Sequence, residues 1–164
     1  MDWQASISGW IAESSVRETV LYLLMNVPGL PPIVQTVHIA AIAVVMASVV
    51  FIALRVLNIA VPGQQPQEMV KRLMPWFWWA LPVLFLSGIV FVIARPDRYL
   101  YNPIAGWKVL FIVIAVTTAL VLQRRVRKLE RRSAQALALI LLSAIVGVVL
   151  AGRWIAYVDY IYWE

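Results

Sequence analysis

The sequence predicts an all-α integral membrane protein, a four-transmembrane-helix bundle with an N-terminal amphipathic interfacial helix. Hydrophobic residues make up 63% of its 164 residues and charged residues only 13%, whereas a soluble domain carries roughly 25% charged residues. The mean hydropathy is +0.84. Four apolar runs are each long enough to cross a bilayer, which takes ~20 residues and as few as about 17. A single transmembrane domain therefore accounts for residues 1–164.

The N-terminal segment, about residues 3–25, predicts a helix in the plane of the membrane interface. Trp3, Ile7, Trp10 and Ile11 recur at helical spacing with polar residues between them, the pattern of a helix whose apolar face enters the bilayer surface. A soluble helix packed on a partner is the alternative.

Helix start and stop signals separate this segment from the first span. Ser15 and Glu18 have the spacing of a capping box, and Pro28, Pro31 and Pro32 predict that the helix ends before them, because proline cannot continue a helix. The segment has no basic region followed by an apolar run, so we expect the first span, and not a cleavable signal peptide, to direct insertion.

Four apolar runs predict the spans, and polar or proline-containing segments between them predict loops or short helix extensions. The first run is longer than a bilayer requires, so we expect it to tilt or to project near Arg55. The predicted spans cover about residues 33–61, 76–94, 106–122 and 134–151. The connecting segments are residues 62–68, 94–103 and 123–133.

The distribution of basic residues predicts the orientation. Nine of the fourteen Lys and Arg residues lie at the end of the first span or in the loops after the first and third spans, and basic residues favour the cytoplasmic side. We therefore expect both termini outside, with the basic loops in the cytoplasm, where anionic lipid headgroups also attract them. The nine are Arg55, Lys71, Arg72, Arg124, Arg125, Arg127, Lys128, Arg131 and Arg132.

Aromatic residues support this orientation, because Trp and Tyr favour both membrane interfaces. Residues 76–79, which include three tryptophans, predict the cytoplasmic interface, and Tyr99, Tyr101 and Trp107 predict the outer one. The outer tail, residues 152–164, holds more Trp and Tyr than one interfacial anchor requires. A plain aromatic belt and contact with a partner are both open for this tail.

Small residues in the last span predict a close helix contact. Ser143, Gly147 and Ala151 recur every fourth residue, a small-xxx-small face that lets two helix backbones approach. The face could meet another helix of the same bundle or a second copy of the chain.

Few polar side chains lie inside the predicted spans, and three of them fall at a similar depth. His38, the single histidine, lies within about two turns of the outer surface in the predicted orientation, and Lys108 enters the third span at a similar depth. With Gln35 they predict a shallow site that faces outward. An ionisable residue in a span is a functional hypothesis by default, although Lys108 is also near enough to the helix end to reach the interface.

Three interpretations of His38 are open: packing through a hydrogen bond, ligation of a metal or haem, and ligand or proton handling. The chain has no cysteine and no second histidine, so a haem held by two histidines would need another subunit. Met25 is the one methionine near the right depth for a His/Met pair. Candidate hydrogen-bond partners are a backbone carbonyl, Gln35 and Tyr157. We expect the ring to face protein, because small and polar residues share its side of the helix, namely Ala41, Val45 and Ser48.

Sequence signatures of soluble enzymes and of phosphate loops are missing from the chain. The basic residues cluster at the ends of apolar runs, as membrane topology requires, so they do not indicate nucleic-acid binding. We therefore favour a protein without catalytic activity, although a membrane enzyme that relies on one His and one Lys is conceivable.

Several short motifs occur in order along the chain: Pro32, Gln35-Thr-Val-His38, Leu54-Arg55-Val56-Leu57, Pro75-Trp76, Ser87-Gly88, Arg98-Tyr-Leu-Tyr-Asn102-Pro103 and Lys108. Over about residues 14–123 this order resembles an uncharacterised family of small bacterial four-helix membrane proteins, distantly similar to the copper-resistance CopD and cytochrome b561-like bundles. The resemblance implies a bacterial inner (cytoplasmic) membrane location and assigns no activity. In that membrane the orientation predicted from the basic residues makes both termini periplasmic, and haem b is the cofactor to consider at His38. His38, Arg55, Asn102 and Lys108 are the shared candidate ligand or cofactor positions, and the chain departs from the pattern at Ala53 and Gln123.

The leading functional hypothesis is a non-catalytic accessory or assembly subunit that packs against other membrane proteins or against itself. The first alternative is a small haem- or metal-binding electron-transfer protein with His38 as ligand. The second is a transporter or channel subunit with an outward-facing pocket of Gln35, His38 and Lys108. The expected partners are the lipid bilayer and other membrane subunits or a homo-oligomer.

Overall fold

The computed structural model describes residues 3–161, which form helices and no strands. Four of these helices are long and apolar enough to cross a membrane, so the prediction of an all-α four-span bundle is confirmed. Three short helices accompany them. In chain order the helices are α1 (Trp3–Ala12), α2 (Ser15–Asn26), α3 (Leu30–Val56), α4 (Pro66–Ala94), α5 (Pro96–Leu100), α6 (Pro103–Arg125) and α7 (Arg131–Ile161).

Two helical hairpins form the bundle. α3 packs along α4, α6 packs along α7, and α3 also packs on α7, which joins the hairpins, while α4 and α6 touch less extensively. α1 packs on α5, and α2 packs on α4, so the short helices cover one end of the bundle. We call this the capped end. The opposite end, where α3 and α6 end and α4 and α7 begin, is the basic end.

The long helices extend beyond most of the predicted span boundaries. α3 begins at Leu30 instead of residue 33, because Pro31 and Pro32 occupy its first turn, where a missing N–H leaves no hydrogen bond unmade. It ends at Val56 instead of residue 61, and α4 begins at Pro66 instead of residue 76. Hydropathy marks the apolar part of a helix, whereas its polar ends continue the same backbone hydrogen bonding. α6 and α7 likewise extend past 106–122 and 134–151.

Both terminal segments differ in detail from the prediction. The aromatic tail continues α7 as far as Ile161, and residues 162–164 lie outside the described residues. The segment 3–25 is two helices and not one, since α1 ends at Ala12. The N-cap of α2 is Ser14 and not Ser15, because Ser14 has the extended backbone of a cap and its side chain accepts the Arg17 backbone N–H.

α1 packs with its polar side toward the bundle. Ser8 is buried, and its hydroxyl donates to a carboxylate oxygen of Asp97. Gln4 Nε2 donates to the Leu100 carbonyl oxygen at 3.0 Å. Trp10 on the other side is 76% exposed. The helix thus presents an apolar side outward, as an interfacial helix requires.

The hydrophobic core lies in the half of the bundle nearest the basic end. Its largest side chains are almost fully buried and come from all four long helices. In a bilayer such contacts stabilise by close packing rather than by removal from water. The core side chains include Val49, Ile52, Met74, Phe77, Leu122 and Leu141.

The aromatic run at 76–79 divides between core and surface. Trp76 and Trp79 are 62% and 76% exposed, as an interfacial belt requires, but Phe77 is fully buried. The indole N–H of Trp78 donates to Gln123 Oε1 of α6 at 2.6 Å. The prediction that Phe77 marks the interface is wrong, because successive residues of a helix point 100° apart and one of them must face the core.

Candidate functional site

His38 points from α3 toward α4. Its Nδ1 atom lies 2.8 Å from the hydroxyl oxygen of Ser87, and that hydroxyl lies 2.5 Å from the Val83 carbonyl oxygen. A serine hydroxyl carries one proton, so when Ser87 donates to Val83, the ring N–H donates to Ser87. The prediction that the ring faces protein is confirmed. The residues expected on the same face, Ala41, Val45 and Ser48, are buried.

The partner of His38 is none of the three candidates that the sequence indicated. Neither a backbone carbonyl, Gln35 nor Tyr157 takes the place of Ser87, which lies 49 residues away in the chain. Gly88 lies beside the ring, since an added Cβ there would be in contact with His38 Cε1 at 3.4 Å. The sequence signal that could have indicated Ser87 as the partner is the Ser87-Gly88 pair, a polar and a small residue together inside an apolar span.

Lys108 reaches the same region from the second hairpin. Its Nζ atom would lie 3.6 Å from a Cβ added to Gly152 of α7, so the end of the long side chain lies against α7 beside Gly152. We call His38, Ser87 and Lys108 the polar layer. Its members come from both hairpins and lie on the capped side of the hydrophobic core.

The remaining candidate ligand residues are not part of this layer. The Gln35 side chain is exposed. Asn102 is the N-cap of α6, and its Oδ1 accepts the backbone N–H of Ile104 at 2.9 Å. Its Nδ2 is buried without a hydrogen-bond partner in the described part of the chain. Arg55 lies at the basic end, because it is in the last turn of α3.

The three small residues predicted to form one face of α7 differ in their surroundings. Gly147 faces α6, where an added Cβ would lie 3.0 Å from ring atoms of Phe111. Ala151 is buried, whereas Ser143 is exposed. A spacing of four residues rotates each position by about 40° around a helix of 3.6 residues per turn. The close approach at Gly147 is therefore to an aromatic ring of the same chain.

Arg55 is a buried cation at the basic end, with 9% of its side chain exposed. Its Nε–H donates to the Gln64 carbonyl oxygen, and its Nη1 donates to Asn58 Oδ1 at 2.8 Å. Both acceptors belong to the connection between α3 and α4. The guanidinium therefore fixes that connection against the end of its own helix.

The capped end is held together by polar contacts of α5. Arg98 Nη2 donates to the Ala156 carbonyl oxygen at 2.6 Å, which ties α5 to α7. Burial raises the pKa of the Tyr99 phenol, against the smaller opposing effects of Arg98 and Arg95, so this phenol is protonated at neutral pH. A cleft of about 530 Å³ lies beside these residues and Arg17.

Fold and site together define a class, a small multi-pass helical membrane protein with a polar layer inside its bundle. No protein-family model matches the chain, and no curated protein or solved structure matches it. The resemblance to the family of small four-helix membrane proteins thus rests on the sequence motifs quoted above.

The described residues offer His38 no evident second axial ligand for a haem held by one copy of the protein. His38 is the single histidine and there is no cysteine. Met25, the candidate second ligand, is 81% exposed. Among the residues from 3 to 161, no three His, Asp or Glu side chains form a cluster that could hold a metal ion. A haem with two histidine ligands at His38 would need its second histidine from another subunit.

Proposed function

We propose that this protein is a non-catalytic accessory or assembly subunit, which packs in the membrane against other membrane proteins or a second copy of itself. The observation that carries the proposal is a row of small side chains on the outer face of α3. Thr36, Ala40, Ala43 and Ala47 are all exposed. Their spacings of four, three and four residues keep them on one side of a helix, opposite the buried face.

Small side chains favour helix association in a bilayer. Lipid tails are as apolar as the side chains they meet, so association depends on close van der Waals packing between helices. Larger side chains cover the exposed faces of α4 and α6, for example Trp79, Leu86 and Leu110. α3 is therefore the span best suited to receive a partner helix.

The experiment replaces small side chains of this row with larger ones. We expect Ala43→Leu and Ala47→Leu to break up the complex extracted in mild detergent, while the melting temperature of the chain stays unchanged. Val44→Leu is the matched control, because Val44 is exposed beside the row and is already branched. A wild-type chain that is monomeric and copurifies with no other polypeptide would contradict the proposal. So would an Ala43→Leu or Ala47→Leu variant that keeps the complex.

A transporter or channel subunit is a second candidate, favoured by the polar layer. His38 and Lys108 are ionisable and lie in spans, and such residues often mark ion or substrate pathways. Gln35 is exposed, so for this second candidate function the pocket consists of His38, Lys108 and, in place of Gln35, Ser87. Proton or ion flux into proteoliposomes that is lost in His38→Gln and Lys108→Met would support it. Flux equal to that of empty vesicles would exclude it.

A further inference from the structure

A cleft at the basic end has the chemistry of an anion site, and the accessory role proposed above does not use it. Its volume is about 340 Å³, toward the lower end of the range of about 300–1,000 Å³ for small-molecule sites. It opens between the connection from α3 to α4 and the start of α7. The polar residues that line it are Arg55, Asn58, Gln65, Gln67 and Arg131.

Arg55 is oriented in the wall of this cleft before any ligand arrives. Its side chain is 9% exposed, and its Nε and Nη1 atoms donate to Gln64 and Asn58. These bonds fix the guanidinium plane, and no acceptor for Nη2 is recorded among the described residues, so we assign Nη2 as the donor to a ligand in the cleft that Arg55 lines. A planar fork that is already immobilised loses little conformational freedom on binding.

The remaining charges around the cleft are also favourable for an anion. Arg131 adds a second cation from the first turn of α7, and no carboxylate lines the cleft among the described residues. The nearest acids in sequence are Glu68 and Glu130. A Glu68 carboxylate oxygen accepts the Gln65 backbone N–H at 3.4 Å, and Glu130 is exposed. α4 and α7 both begin here, and helix N-termini attract negative charge.

We propose that this cleft binds a phosphate group, carried by an anionic phospholipid headgroup or by a soluble phosphate ester. A guanidinium matches phosphate oxygens with paired, charge-assisted hydrogen bonds. Arg55 is the fixed donor of the site and Arg131 the flexible one, and the side-chain amides of Gln65 and Gln67 supply further donors. In the predicted orientation the cleft meets the cytoplasmic leaflet, where anionic headgroups lie.

Two probes distinguish the sources of the phosphate group. The full chain in neutral detergent is titrated at constant ionic strength with inorganic phosphate, and separately with short-chain phosphatidylglycerol against phosphatidylcholine. The measured quantity is the rise in melting temperature. Saturable stabilisation by phosphatidylglycerol alone identifies a site for a lipid headgroup. Saturable stabilisation by inorganic phosphate alone identifies a site for a soluble ligand. Stabilisation by both shows that the phosphate group itself is recognised, and stabilisation by neither overturns the proposal.

Matched variants separate the cleft from the general positive charge of this end. Arg131→Gln should raise the dissociation constant about tenfold, whereas Arg132→Gln, the same charge change one residue away, should alter it less than about twofold. Gln67→Glu places a carboxylate in the cleft without touching the bonds of Arg55, and should also weaken binding about tenfold. Ser133→Glu, exposed outside the cleft, is its control. Equal effects within either pair would overturn the proposal.

Discussion

At the residue scale, the hydrogen bond between His38 and Ser87 gives the single histidine a polar partner inside an apolar span. An imidazole in an apolar span requires a partner, because an unpaired polar group in hydrocarbon costs several kcal/mol. Ser87 supplies that partner at 2.8 Å. Interhelical hydrogen bonds in membrane proteins contribute about 0.6 kcal/mol on average and up to about 1.7 kcal/mol, so this one connects two spans without dominating their stability.

We expect His38→Gln to keep most of the stability, because an amide can still reach Ser87, and to leave the visible absorption spectrum unchanged. His38→Ala and Ser87→Ala should each destabilise, and their double-mutant cycle should give a coupling of about 0.5–1.5 kcal/mol. The measurement is unfolding in detergent with a visible spectrum of each variant. Thr117→Ala, at an exposed residue of α6, is the control. Additive effects would show that the two side chains do not interact, and a chromophore lost with the imidazole would show a ligand role.

Gly147 is a second position where one side chain decides the packing. Gly147→Leu should lower the free energy of unfolding by about 1–3 kcal/mol, because an added Cβ already lies 3.0 Å from the Phe111 ring. Val146→Leu, at an exposed neighbour, should be nearly neutral. Both would be compared by detergent melting. Equal melting temperatures would mean that α6 and α7 are not in close contact at Gly147.

At the element scale, the connection from α3 to α4 combines unusual backbone angles with side-chain hydrogen bonds. Asn58 and Val61 have positive φ angles of 61° and 53°, a region that asparagine tolerates and a β-branched valine rarely enters. The bonds of Arg55 to Gln64 and Asn58 hold the segment in this conformation. The proposed phosphate cleft therefore has a rigid wall.

Asn58→Gly and Asn58→Ala separate this backbone requirement from the side-chain bond. Both variants lose the bond from Arg55 Nη1, but only alanine is strained at the positive φ angle. We expect the alanine variant to be less stable than the glycine variant by about 1–2 kcal/mol, offset in part by the greater flexibility of glycine in the unfolded chain. Melting curves of the two proteins give the comparison. A glycine variant that is the less stable of the two would argue against the left-handed conformation.

At the scale of the whole molecule, the two ends of the bundle differ in charge. The basic end holds nine of the fourteen basic residues, while the capped end is closed by α1, α2 and α5. The prediction that the basic end is cytoplasmic follows from this asymmetry. It also determines which side of the membrane the polar layer and the phosphate cleft would face.

Single cysteines test the orientation, since the chain has none of its own. Glu13→Cys and Glu164→Cys should react with an impermeant thiol reagent in intact cells, and Ser133→Cys should react only after lysis. Glu13 is exposed and is a better probe position than Ser8, which is buried against α5. Labelling of residue 133 but not of residues 13 and 164 in intact cells would show that the orientation is the opposite of the predicted one.

The sequence by itself determined the class of the protein, the number of spans and the side of α3 on which His38 lies. These properties depend on consecutive residues, because a bilayer requires ~20 apolar residues per span and a helix repeats every 3.6 residues. Hydropathy could not locate the helix ends, since the polar turns at Pro66 and beyond Ala151 continue the helices outside the apolar stretch.

Only the tertiary structure decided which side chains meet. The contact of His38 with Ser87, that of Gly147 with Phe111, and the burial of Arg55 beside the α3–α4 connection all depend on how the two helices of each hairpin pack against each other. Packing angle and rotation follow from the interlocking of whole helix surfaces. The periodicity of one segment carries no information about the neighbour it will face, and so the partners of these residues could not be derived from the sequence.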